Sequence, residues 1–208
     1  MIPRLGYWTD GVRGCAGRDP CDVIERLARG GVEFVVLRER DWSVGQWSEC
    51  VARLAKARAA GLRLLAGRRL DLVRALGLDG VHLGAESVPV AEARAFLGAA
   101  AWIGYSAHSR AEAEQAAAQG ATYVTLSPIF ATGSKPSAAP RGCAWLREAA
   151  AGLAVPVLAL GGVTAARVPE LRRAGAAGVV AIAALGAAPD PEAAAREFRR
   201  ALADEAGA

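Results

Sequence analysis

The 208-residue sequence predicts a single α/β domain, a (β/α)₈ TIM barrel spanning residues 1–208. Three observations carry this. A short β-rich run, a loop and an Ala/Leu/Arg-rich amphipathic helix ending near glycine recur along the chain. The β-rich runs are apolar on both faces, the pattern of a parallel sheet covered on both sides. About eight such units in roughly 200 residues close most economically into a barrel, and α/β barrels of roughly 200–250 residues are ordinary. An open doubly wound sheet is the alternative arrangement.

The elements follow in order. Leu5–Trp8 is the first strand, and Asp19–Pro20 starts a helix over Cys21–Arg29 that Gly30–Gly31 closes. Val32–Arg38 is the second strand, with a helix over Val44–Ala59 ending at Gly61. Leu62–Ala66 is the third, followed by a helix over Arg69–Leu76. Gly80–Leu83 is the fourth, with a helix over Pro89–Leu97. Trp102–Ser106 is the fifth; Ser109 caps a helix over Arg110–Gln119, and Gly120 ends it. Tyr123–Leu126 is the sixth, and a helix over Ala144–Ala151 follows a long loop. Val155–Leu160 is the seventh, with Thr164 expected to cap a helix to Arg173. Gly178–Ile182 is the eighth, and a helix over Pro191–Ala203 completes the chain.

Composition narrows the function. With 53% hydrophobic and 22% charged residues, the chain can bury a core and is not of disordered type. The net charge is +4. Much of the arginine lies on helical stretches, Arg167–Arg173 and Arg196–Arg200, where a solvated helix face explains it. No aromatic residues interleave a dense basic run, so nucleic acid is not the expected partner. A small phosphorylated ligand also suits a positive balance. No cationic leader precedes an apolar core, and no apolar run reaches the length of a membrane span. A cytoplasmic protein without a membrane partner is expected, and a homo-oligomer is left open. Cys15, Cys21, Cys50 and Cys143 lack metal-type spacing and read as free thiols.

In such barrels function sits at the C-terminal ends of the strands. That rule selects Thr9–Asp10, Arg38–Arg40, Gly67–Arg68, Gly84–Glu86, Ser106–His108, Ser127–Lys135, Gly161–Gly162 and Ala183–Ala184. The loop after the sixth strand gathers Thr132, Ser134 and Lys135, two hydroxyl donors and an ammonium, which is the chemistry of an anion grip. Gly161–Gly162 and Ala183–Ala184 follow strands seven and eight, the usual barrel phosphate position, where small residues let backbone N–H groups approach the ligand. Arg38 must lie near the mouth, facing either an anion or Glu39. His82 reads as a core imidazole and His108 as a rim residue. Two histidines without a nucleophile elbow do not make a Ser–His–Asp triad.

The segments Val36–Arg40, Asp79–Gly84, Ile103–His108, Ser127–Lys135, Leu160–Val163 and Gly175–Val179, in this order, resemble the thiamine phosphate synthase family, including its thiazole tautomerase branch. The resemblance covers nearly the whole chain. It implies a (β/α)₈ barrel that couples a hydroxymethylpyrimidine diphosphate to a thiazole phosphate. Pyrophosphate leaves first, and the thiazole nitrogen captures the resulting cation. It further implies that Arg38, Arg40 and Lys135 hold the diphosphate and that Ser106 contacts the pyrimidine. Thr132 and Ser134 would bind the thiazole phosphate, with Gly161, Gly162, Ile182 and Ala183 lining the rest of that site.

The departures from the family pattern are local. The family implies Mg²⁺ held by carboxylates after strands three and four, but those positions are Arg68 and Ser87. The metal ligands are therefore absent, and the expectation is either altered metal use or none. Glu86 is one position away, and Arg68 itself places a positive charge there to bind phosphate. The glutamine that opens the strand-two motif is Val36, and the strand-eight serine is Ala183. The histidine of the tautomerase branch is Pro128. The leading expectation is a synthase-like transferase. An isomerase using His82 or His108 for proton transfer, and an idle precursor-binding barrel, are the alternatives.

Overall fold

The computed structural model describes residues 4–134 and 137–204. Its strands are β1 (Leu5–Trp8), β2 (Phe34–Leu37), β3 (Arg63–Gly67), β4 (Gly80–Leu83), β5 (Trp102–Ala107), β6 (Tyr123–Leu126), β7 (Val157–Leu160) and β8 (Gly178–Ala181). Each pairs in parallel with the next, and β8 pairs with β1, which closes the barrel. The expected (β/α)₈ architecture is the observed one.

Strand residues alternate between two apolar layers, as the period of two requires. Phe34 and Val36 of β2, Tyr123 of β6, Leu158 and Leu160 of β7 and Val180 of β8 pack together inside the barrel. Their neighbours Val35, Leu37, Val124, Val157, Ala159 and Val179 join the layer between strands and helices. This phase aims Trp8, Arg38, His82 and Ser106 at the interior or its mouth.

The interior admits large rings because the facing positions are small. A Cβ on Gly6 would fall on the Phe34 ring, and one on Gly104 would fall on both the Tyr123 phenol and the His82 ring. Gly104→Ala is therefore expected to cost about 1–3 kcal/mol, the usual range for overpacking a filled core. Chemical denaturation of the variant checks this, and an unchanged unfolding midpoint would contradict the packing described.

Some of the helices start where the sequence supplies a cap. Asp19 accepts from the backbone N–H groups of Cys21 and Asp22 at the start of helix Pro20–Gly30, and Gly31 ends that helix in the left-handed region. Ser109 accepts from Glu112 N–H as expected. Beyond shifts of one or two residues at element ends, two features depart from expectation. The helix expected over Val44–Ala59 is two, Val44–Arg53 and Ala55–Ala59, because fully buried Leu54 takes a non-helical backbone between them. Thr164 makes no side-chain cap; a 3₁₀ turn over Ala165–Arg167 precedes helix Val168–Arg173, whose first turn accommodates Pro169. Two short helices, Gly11–Gly14 and Ala183–Gly186, were not expected.

Cysteine pairing is a further correction. Cys21 and Cys50 form a disulfide between helices Pro20–Gly30 and Val44–Arg53, with Cα atoms 6.0 Å apart. Cys15 and Cys143 remain free. The two partners are 29 residues apart in sequence, so only the packing of their helices reveals the pair. Among the described residues no helix is long and apolar enough to cross a membrane.

Candidate active site

A cavity of about 570 Å³ opens at the C-terminal ends of the strands. It gathers most of the side chains selected from the sequence. Arg38, Arg40, Arg68, His82, Ser106 and His108 line it, as do Thr132, Ser134, Gly161 and Ile182. Gly162 and Ala183 do not line it, and Lys135 lies outside the described residues. Because the strands run in order around a closed ring, the arginines after β2 and β3 lie across the mouth from the loops after β6 and β7.

Arg38 is half-buried over the Trp8 ring, 5.4 Å from its centroid, and its backbone N–H donates to the buried Thr9 hydroxyl at 2.8 Å. Burial lowers its pKa; Asp10 opposes the shift, whereas Arg40 and Arg68 reinforce it. Three guanidiniums therefore stand close enough to repel one another, an arrangement that a polyanion relieves. Arg68 sits at φ 66°, in the left-handed region, and its N–H donates to the His82 carbonyl at 3.0 Å.

Beneath the mouth, three strands build one hydrogen-bonded row. His82 Nδ1 lies 2.9 Å from the Tyr123 hydroxyl, and Nε2 lies 3.0 Å from the Ser106 hydroxyl. Burial, aided by Arg38 and Arg68, lowers the His82 pKa to about 3, so the ring is neutral near pH 7. Burial raises the Tyr123 pKa, so the phenol keeps its proton. The phenol finds no other acceptor among the described residues and donates to Nδ1. Nε2–H then donates to Ser106, whose own hydroxyl proton is left for a ligand. His82 was expected as a core imidazole or a proton carrier. With both nitrogens engaged, it suits the role of a strut beneath Ser106. His108 differs: its Nδ1 donates to the Ser127 carbonyl at 2.8 Å, and Nε2, on the cavity wall, has no partner among the described residues.

The long loop after β6 is fastened at its base. The Ser127–Pro128 peptide is cis. Ile129 N–H donates to Leu160 O and Phe130 N–H to Gly161 O, both at 3.0 Å, and Ile129 is fully buried. Thr132 and Ser134 hydroxyls lie 3.1 Å apart at the loop's exposed end. The glycine pair has a second reason beyond ligand approach. Gly161 and Gly162 take φ 97° and 62°, and side chains there would strike Pro128 and Phe130.

The sequence did not single out Trp8 or Leu160, which with Val36 and Ile182 supply the apolar wall. Inward phase along β1 and β7 was the available signal for both.

The donor set does not fit a divalent cation. Mg²⁺ takes an octahedral shell of oxygens, with carboxylates as protein ligands. Glu39 and Glu86 are the carboxylates lining the cavity. Glu39 is buried and accepts from Gly11 N–H, and Glu86 is paired with Arg68 at 2.8 Å. Ser87 accepts from Gly84 N–H. Among the described residues no group of three His, Cys, Asp or Glu side chains could hold a metal ion.

Comparison with known proteins agrees over most of the chain. The profile of the family described as thiamine monophosphate synthase matches residues 9–185. A putative thiamine-phosphate synthase of Geobacter sulfurreducens is 43% identical over 188 residues, covering 89% of this chain and 86% of that protein. A thiamine-phosphate synthase of Methanoculleus marisnigri is 43% identical over 189 residues, covering 90% of each. Among solved structures, thiamine phosphate pyrophosphorylase from Pyrococcus furiosus superposes with a TM-score of 0.87 at 26% identity, over 98% of this chain and 97% of that one. A barrel of this topology, matched along nearly its whole length by these relatives, belongs to the thiamine monophosphate synthase family.

Proposed function

We propose that this protein is a thiamine phosphate synthase, a transferase of thiamine biosynthesis that joins hydroxymethylpyrimidine diphosphate to thiazole phosphate and releases pyrophosphate. The observation that carries it is an arginine-bearing rim that faces a rim of hydroxyls and small residues across one cavity, with Ser106 on its wall. Two phosphorylated substrates entering head to head would bring their rings together above Ser106.

The chemistry asks little of acids and bases. The bond between the pyrimidine methylene carbon and the diphosphate oxygen breaks, and its electron pair leaves with pyrophosphate. The thiazole nitrogen lone pair then forms the new C–N bond. Arg38, Arg40 and Arg68 would meet the charge developing on the leaving oxygen, and Lys135 would add a further positive charge. Ser106, held by His82, would orient the pyrimidine. Thr132, Ser134 and the backbone at Gly161 would hold the thiazole phosphate. Trp8, Val36, Leu160 and Ile182 would shield the cation from water.

The test is to mix the purified protein with both substrates and follow thiamine phosphate and pyrophosphate together. Release of both in equal amounts is expected. Thiazole tautomer exchange without coupled product would support an isomerase, and tight binding with neither product would support a carrier. Lys135→Ala is expected to lower the coupling rate at least about tenfold, as loss of a charge stabiliser does; an unchanged rate would remove Lys135 from the reaction.

A further inference from the structure

A cation stands where the family places its metal ion, and the structure shows what holds it. The cavity is lined by Arg38, Arg40, Arg68 and Arg69 but only two carboxylates, Glu39 and Glu86. Arg69 is committed to Asp71 through two hydrogen bonds of 2.8 and 2.6 Å. Among the described residues the Arg68 side chain is committed only to Glu86, at 2.8 Å, and that carboxylate is 80% exposed. Glu86 makes no other side-chain hydrogen bond or ion pair among the described residues, so the pair is a weak, solvent-facing one.

The backbone at Arg68 is the second observation. Only Arg68 and Ala16 among the described non-glycine residues have positive φ. That region suits glycine and strains any residue that carries a Cβ, so the guanidinium is placed here at a backbone cost that glycine would not incur. Its neighbour Arg38 carries the mark of the same crowding, since Arg40 and Arg68 both act against its charge.

We propose that the Arg68 guanidinium does the charge-neutralising work of a divalent cation, and that Glu86 is its resting counter-ion, exchanged for the substrate diphosphate. A guanidinium presents a planar fork that matches two phosphate oxygens, which a point cation such as lysine does not. In the free protein Glu86 takes one arm of that fork, through a single Nη1–Oε2 hydrogen bond. When the diphosphate enters, the fork turns from one carboxylate to the more highly charged anion, and Glu86 returns to solvent. The inference rests on the coupling reaction proposed above, and it makes that reaction independent of added metal.

Two measurements test it on the full-length protein and on Arg68→Gln, Arg68→Gly and Glu86→Gln. The first is calorimetric binding of pyrophosphate alone in EDTA; the second is coupling with EDTA or with Mg²⁺. The unaltered protein is expected to bind pyrophosphate in EDTA and to couple at rates within about twofold under both conditions. Arg68→Gln and Arg68→Gly are expected to weaken pyrophosphate binding by about 10–100-fold. Arg68→Gly should also unfold about 1–4 °C higher, because it relieves the backbone strain, so weaker binding there is not a folding defect. Glu86→Gln is expected to bind pyrophosphate several-fold more tightly.

Binding that requires Mg²⁺, or unchanged binding in both Arg68 variants, would overturn the role given to Arg68. Unchanged binding in Glu86→Gln would overturn the exchange. Coupling seen with Mg²⁺ and lost in EDTA would overturn metal independence while leaving the transferase standing. No coupled product under either condition would overturn the transferase itself, and the binding measurement would still decide the role of Arg68.

Discussion

Arg38→Ala is expected to lower kcat/KM for coupling by about 10²–10³-fold, the loss typical when one charge-stabilising donor leaves a reaction centre. The fold places Arg38 at the mouth. The inward phase of β2 carries it to the mouth, its N–H is tied to the Thr9 hydroxyl, and its guanidinium rests over Trp8. Half-burial strengthens whatever charge it meets, since screening by water is weak there. Arg38→Lys is expected to recover only part of the rate, because an ammonium keeps the charge but not the fork. Steady-state kinetics on both variants check this. Equal rates for Arg38→Ala and the unaltered protein would show that the leaving diphosphate is stabilised elsewhere.

The second large effect is on stability in acid. His82 titrates at about 3 in the folded protein, against an ordinary value of 6.5. Above pH 6.5 the ring is neutral whether the chain is folded or not, and it adds no pH dependence. Between pH 6.5 and about 3 the unfolded chain takes up a proton that the folded one refuses. Stability therefore falls as pH falls through that window, by an amount on the order of a few kcal/mol at its lower end. His82→Gln keeps a side chain able to donate and accept but removes the titration. Urea unfolding midpoints measured from pH 7 to pH 4 should fall less steeply in His82→Gln than in the unaltered protein. Identical slopes would mean that His82 is not held neutral by its surroundings.

The barrel was legible because its signal is local. Runs such as Phe34–Leu37 and Val157–Leu160 are apolar at every position, which only a sheet covered on both faces explains. The mouth residues were legible for the same reason: strand ends follow once the strands are placed. What escaped depends on register between strands distant in sequence. Tyr123 lies 41 residues from His82, and nothing near either residue announces their bond. Only the pairing of β4 with β5 and of β5 with β6, with Gly104 leaving space between, brings the two together. The Cys21–Cys50 disulfide escaped likewise, because it joins two helices. The Gly161–Gly162 pair was seen as a ligand turn, while its packing against the preceding loop was not.

That packing has a consequence for substrate choice. The backbone of Ile129 and Phe130 is bonded to Leu160 and Gly161, and Gly162 is wedged against Phe130. The base of the loop carrying Thr132 and Ser134 is thereby anchored to the turn after β7. Under the proposed assignment both parts of the thiazole-phosphate subsite are mounted on this shared support. The distance from the base of that jaw to the strand ends across the mouth is set by the barrel's girth. Under that assignment the molecule would work as a caliper, selecting substrate pairs by their combined length from phosphate to diphosphate as well as by the chemistry of their rings.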